Sequence, residues 1–79
     1  MEKEITHRII LGTILRKMRQ DRGLSLRQVE EETKINFSNI RKIENGKYNT
    51  GIDYIVRLID FYGYTIVFRF EDGVAEYVL

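Results

Sequence analysis

The 79-residue chain has no cysteine, no proline and a single histidine, His7. Without cysteine there is no disulfide framework, no thiolate-ligated metal and no thiol nucleophile, and a reducing compartment is the natural setting. His7 has no cluster of ligating residues beside it and reads as a surface side chain. There is no glycine-rich phosphate loop and no carboxylate pair in an evident cleft, so the parts of a catalytic site are missing. Neither an enzyme nor a cofactor is expected. Long hydrophobic runs are missing too. The longest, IILGTIL from Ile9 to Leu15, is far short of the roughly 20 residues that cross a bilayer. The opening MEKEITHR is charge-balanced and carries no small-residue cleavage site. It gives no expectation of a signal peptide, and the cytoplasm is the expected location.

A surplus of charge of one sign is also absent, since the formal net charge is only +1. Its distribution is uneven. Residues 1–51 hold 11 Lys/Arg against 7 Asp/Glu, whereas residues 52–79 hold 2 against 5. A basic half of this size is a weak pointer to nucleic acid, because solvated charged faces produce the same asymmetry. What is present is a composition 43% hydrophobic and 32% charged, that of a soluble globular chain and not of a disordered one. A single domain this short buries a modest core, which makes help from a second copy plausible.

Local patterns divide the chain without a repeat or a low-complexity linker. A first helix is expected from about Thr6, as N-cap, to about Asp21, with Ile14, Leu15 and Met18 inward and Arg16, Lys17 and Arg19 more exposed; Gly23 ends it. Ser25 caps a second, short helix, LRQVEEETK, by accepting from the backbone N–H of Gln28. Lys34, Ile35 and Asn36 leave room only for a tight turn, and Asn36 caps a third helix from Phe37 that stops at Asn45-Gly46. Two short helices joined in this way form a helix-turn-helix. Wound at about 100° per residue, the third helix sets Ile40 and Ile43 on one side, with Asn36 and Glu44 at its edges. Ser38, Arg41, Lys42 and Asn45 fall on the other side, while Phe37 and Asn39 lie on the borders.

A fourth helix opens at Thr50 or Gly51, with Ile52, Ile55, Leu58, Ile59 and Tyr62 toward a core, and closes at Gly63. From Tyr64 the period becomes two. Tyr64, Ile66, Phe68 and Phe70 alternate with Thr65, Val67 and Arg69, a strand pattern; Asp72-Gly73 is a hairpin turn, and VAEYVL is a second, weaker strand. An isolated hairpin is marginal in water, so its large apolar side chains are expected to pair with those of a second chain, although they are also placed to fold back on the chain's own helices.

With these parts in order, residues 11–63 resemble the lambda-repressor/Cro-like helix-turn-helix family, also called the xenobiotic-response-element (XRE) family. The resemblance rests on LGTILRKMRQDRGLS, a short helix containing Val29, INFSNIRKIENGK and a further amphipathic helix; IRKIENGK is its most specific piece. It implies a mostly α fold, a bundle of four to five helices with a C-terminal β-hairpin or strand extension. The division expected is 1–63 for DNA binding and 64–79 for dimerisation through Tyr64, Ile66, Phe68 and Phe70. The resemblance further implies that Phe37, Ser38 and Lys42 face base edges in the major groove, with Arg41 and Asn39 close to bases or phosphates. Asn45 and Lys47 would meet the sugar-phosphate backbone, and Arg19 and Glu44 would form an ion pair that orients the third helix. A helix bearing Lys and Arg suits the groove because both donate to guanine O6 and N7, and Phe37 suits a thymine methyl.

Three positions depart from the family pattern. Leu26 stands where an amide usually meets a phosphate, leaving that contact to Arg27 or Gln28. Glu30 replaces the small residue that lets the two helices cross, so either the crossing loosens or its carboxylate bends outward to a cation. Lys34 replaces glycine in the turn, and a left-handed conformation there costs about 1 kcal/mol. The run Glu30, Glu31, Glu32 is most simply a solvated face. The resemblance implies a DNA-binding transcriptional regulator acting as a homodimer on a pseudo-palindromic site, a repressor by occupancy, or more narrowly the antitoxin of a toxin-antitoxin pair. The competing reading is a protein-interaction module that keeps the fold and uses Leu26, Phe37 and the hairpin to hold a partner.

Overall fold

The computed structural model describes residues 6–47 and 51–79. Thr50, one of the two expected starts of the fourth helix, lies outside the described residues. Four helices, α1 (His7–Asp21), α2 (Leu26–Thr33), α3 (Phe37–Glu44) and α4 (Ile52–Phe61), precede two short strands, β1 (Val67–Arg69) and β2 (Glu76–Val78). The mostly α fold with a C-terminal hairpin is therefore as the sequence implies.

Three of the four helices begin at a side-chain cap, and all four end at a residue whose local conformation stops them. Thr6 caps α1 by accepting from the Ile9 N–H. Ser25 caps α2 in a reciprocal box: its hydroxyl accepts from the Gln28 N–H at 3.1 Å, and the Gln28 side chain accepts from the Ser25 N–H at 2.8 Å. Asn36 caps α3, accepting from the Ser38 N–H at 2.8 Å. At the other end, Gly23, Gly46 and Gly63 follow α1, α3 and α4 with positive φ. In all three the glycine N–H and the next N–H bond back to the last turn, as from Gly46 to Ile43 and from Lys47 to Lys42, both 3.0 Å. Lys34 takes the same left-handed conformation after α2, at φ 65°.

The turn between α2 and α3 has an internal brace that the sequence reading did not single out. Thr33 is buried, donates its hydroxyl to the Val29 carbonyl at 2.8 Å and accepts from the Ile35 N–H at 3.2 Å. Ile35 is thereby set into the core with Leu15, Val29, Ile40, Ile43, Ile55, Leu58, Ile59 and Tyr62. Fully burying one such aliphatic side chain stabilises by roughly 1.5–3 kcal/mol.

Two expected core residues are not there. Ile14 is 45% exposed and Ile52 is 61% exposed. In α1 the buried stripe is centred on Leu15, flanked by Leu11, Gly12 and Met18, and Ile14 stands about 100° round the helix from its centre. Ile52 shares the inward angle of α4, but it is the first residue of that helix. Periodicity tells which side a residue faces and not how far along the axis a neighbour reaches.

The hairpin is shorter than its alternating pattern. Tyr64 N–H bonds to the Ile59 carbonyl at 3.0 Å, so Tyr64 belongs to the end of α4 and not to a strand. The strands pair antiparallel with Val67 opposite Val78, Phe68 opposite Tyr77 and Arg69 opposite Glu76. Ile66 packs against the helical core, while Phe68, Phe70, Tyr77 and Leu79 are all more than half exposed. The hairpin does not fold these side chains back on the helices.

Candidate nucleic-acid interface

The inner side of α3 is held along its length by apolar packing and at its C-terminal end by an ion pair. Ile40 and Ile43 are buried, and Glu44, in the last turn, is only 5% exposed. Its carboxylate accepts two hydrogen bonds from Arg19 of α1, from Nε at 2.7 Å and from Nη2 at 2.9 Å. Arg19 uses its third nitrogen, Nη1, on the Leu24 carbonyl at 2.8 Å, tying the α1–α2 loop to the same point. The hydrogen bonds to Glu44 raise the Arg19 pKa, against the opposing effect of burial. A planar fork meeting a carboxylate fixes orientation as well as distance.

Two further residues set this geometry and were missed by the sequence reading. Gly12 presses on the end of α3: a Cβ there would lie 2.6 Å from the Glu44 carbonyl oxygen. A glycine inside a helix costs about 1 kcal/mol relative to alanine, and that cost was the available signal of a close backbone approach. Arg16, one turn before Arg19, donates from Nη2 to Asn45 Oδ1 and places Nε 3.6 Å from Glu44. Arg16 and Asn45 are both exposed, so the bridge sits at the surface just past α3.

On the outer side of α3, Arg41 and Lys42 are exposed, and among the described residues neither forms an ion pair. Lys47 is exposed immediately beyond. Ser38 and Asn39 are half-buried. The Ser38 hydroxyl donates to Asn36 Oδ1 at 2.6 Å, which leaves its lone pairs free to accept from another molecule. Phe37 is half-buried at the start of the helix, and the Arg27 guanidinium lies over its ring, 4.2 Å from the centroid.

The three unusual positions of α2 and the turn resolve differently. Leu26 packs partly buried against the core, and Gln28 Oε1 is engaged in the helix cap. Glu30 is half-buried without an ion-pair partner among the described residues. It shares a shallow surface cleft with Arg27, Gln28, Glu31 and Lys34. Lys34 accepts the strained turn conformation. The described residues contain no His/Cys/Asp/Glu group able to hold a metal ion. No described helix is long and apolar enough to cross a membrane.

Comparison with known proteins agrees with this geometry. A family model described as helix-turn-helix matches residues 15–68. A crystal structure of the clp gene regulator ClgR from Corynebacterium glutamicum superposes with a TM-score of 0.75 at 23% identity, covering 81% of this chain and 82% of that one. A second ClgR crystal structure from the same organism gives a TM-score of 0.72 at 24% identity, over 78% of this chain and 66% of that one. At these identities the likeness establishes the fold. No curated protein sequence matches significantly.

Proposed function

The chain belongs to the helix-turn-helix family, a family of DNA-binding transcriptional regulators, and on that premise we propose that it is a cytoplasmic, sequence-specific repressor that occupies a pseudo-palindromic operator as a homodimer. The observation that carries this reading is the contrast between the two sides of α3. Its inner side is locked by Ile40, Ile43 and the Arg19–Glu44 fork, while Arg41 and Lys42 stand outward without ion-pair partners among the described residues. A rigid helix with free donors on one face is what major-groove reading requires. In this reading Arg41 and Lys42 donate to guanine, Ser38 accepts from an exocyclic amine, and Phe37 meets a thymine methyl. Gln28, Asn39, Asn45 and Lys47 meet the sugar-phosphate backbone, joined by Arg16 through its bridge to Asn45.

The dimer rests on residues 64–79, the extension beyond the DNA-binding part, 1–63. Ile66, Phe68 and Phe70 lie on one face of the hairpin with Ala75, Tyr77 and Leu79, and Tyr64, at the end of α4, is exposed. Pairing that face with its copy would bury both, and a two-fold dimer that reads successive major grooves holds its two recognition helices about 34 Å apart.

Selection from a random duplex pool at near-physiological salt tests both parts. An enriched inverted repeat is the expected outcome, with a half-site spacing that reports the separation of the two α3 helices. Failure to enrich any sequence with folded protein would favour the second reading, a protein-interaction module, for which the uncovered hairpin face is the favouring observation; an antitoxin would use that face or its neighbours to hold a toxin. Salt separates the two, because DNA affinity falls steeply with ionic strength through counterion release and an apolar interface does not.

A further inference from the structure

Arg27 lies in the first turn of α2, and Phe37 is the first residue of α3. In helix-turn-helix docking the first of these helices crosses the DNA backbone and the N-terminal residues of the second reach base edges. By position, Arg27 would meet phosphate. Its guanidinium has instead been carried across to the groove-facing end of α3, where it lies over the Phe37 ring at 4.2 Å. Glu30 and Glu31, three and four residues further along α2, border the same cleft. An i,i+4 ion pair with Glu31 was open to Arg27, yet no ion pair joins Arg27 to either carboxylate.

Resting on the DNA-binding reading above, we propose that Arg27 and Phe37 act as one reader of a thymine–guanine step, Arg27 taking the guanine and Phe37 the methyl of the neighbouring thymine. Stacking on the ring occupies the π-face of the guanidinium and leaves its N–H edge free. Among the described residues Arg27 makes no hydrogen bond that would occupy that edge. Two of those donors match guanine O6 and N7, the bidentate pairing that a guanidinium makes in the major groove. The separation of the stack, 4.2 Å, is close to the ~3.4 Å rise between successive bases. A guanidinium coplanar with the guanine it pairs would therefore carry the ring toward the level of the next base pair, where a thymine methyl projects into the groove. The neighbouring Glu30 and Glu31 disfavour the alternative contact, since two carboxylates repel a phosphate and leave the uncharged guanine edge acceptable.

The test uses the full chain and the duplex recovered by selection, remade with uracil for each thymine and 7-deazaguanine for each guanine in turn. These changes strip one methyl or one N7 from the DNA and leave the protein untouched. At one T–G step per half-site, uracil is expected to weaken binding roughly fourfold, as one methyl does, and 7-deazaguanine by about tenfold. Arg27→Ala is expected to abolish the 7-deazaguanine penalty while still binding. If Arg27→Ala weakens every duplex equally and the 7-deazaguanine penalty persists, Arg27 meets phosphate and the proposal is overturned while DNA recognition stands. If folded wild-type protein enriches no duplex at all, the DNA-binding reading fails and takes the reader with it.

Discussion

Arg19 and Glu44, 25 residues apart, are joined by two hydrogen bonds of 2.7 and 2.9 Å, with the Glu44 side chain 2% exposed and that of Arg19 14% exposed. The pair welds α1 to the last turn of α3. Removing Arg19 leaves the buried Glu44 carboxylate with only the longer, 3.6 Å approach of Arg16 Nε, so Arg19→Met is expected to lower stability by up to roughly 3–5 kcal/mol in urea unfolding. The double variant Arg19→Met, Glu44→Met removes both charges and is expected to recover most of that loss. A single variant within 1 kcal/mol of wild type would mean that the pair behaves like an exposed one, worth about 0–1 kcal/mol.

Gly12 supplies a second measure of how tightly α1 presses on α3. Alanine improves helix propensity by about 1 kcal/mol, but its Cβ would sit 2.6 Å from the Glu44 carbonyl oxygen. The overlap is with backbone and cannot be relieved by a rotamer, so Gly12→Ala is expected to destabilise by about 1–3 kcal/mol net. A raised melting temperature for this variant would contradict the close packing.

Lys34 stands in left-handed conformation at φ 65° and is exposed. Glycine adopts that conformation without the Cβ penalty, and Lys34→Gly is expected to stabilise by up to about 1 kcal/mol after the entropy that glycine adds to the unfolded chain. Thermal unfolding of the two proteins side by side decides it; a loss of stability would show that the lysine side chain is worth more than the strain it carries.

Tyr62 is 2% exposed, and its hydroxyl has no hydrogen-bond partner among the described residues. Burial, and then the charge of Glu44, push its pKa up from 10.0 to about 12. The folded state therefore holds a proton that the unfolded state releases above pH 10. The stability from this group is complete below pH 10 and is lost between pH 10 and 12, at up to about 1.4 kcal/mol per pH unit. Tyr62→Phe is expected to be neutral or stabilising at pH 7, because it removes an unpaired polar atom, and to flatten the stability curve between pH 10 and 12. An unchanged alkaline slope would assign the loss to other groups.

Phe68 is 56% exposed on the apolar face of the hairpin. Sedimentation is expected to show wild type as a dimer and Phe68→Glu as a folded monomer, since a carboxylate facing its own copy is both desolvated and repelled. A Phe68→Glu protein that still sediments as a dimer would move the interface elsewhere.

Much of the fold was legible in the sequence because it is specified within a few residues. The caps at Thr6, Ser25 and Asn36 and the glycine stops are as the local pattern implies, and the left-handed Lys34 is as the family resemblance implies. The inward placement of Ile14 and Ile52 was wrong, since an apolar residue near the right angle is buried only where a neighbouring element covers it. Tyr64 illustrates the same limit: its alternation with Ile66 reads as strand, but its N–H closes α4.

The sequence by itself determined the order of the described helices, the caps that begin three of them, the glycines that end three of them, and the position of the hairpin turn. Those features follow from backbone torsions and from hydrogen bonds spanning six residues or fewer. Only the tertiary structure decided that Gly12 presses on α3, that Arg16 bridges to Asn45, that Arg27 leaves its helix neighbours for the Phe37 ring, and that the hairpin face stays uncovered. Each of these depends on the distance between elements remote in sequence or separated by a turn, and the packing of the shared core sets that distance.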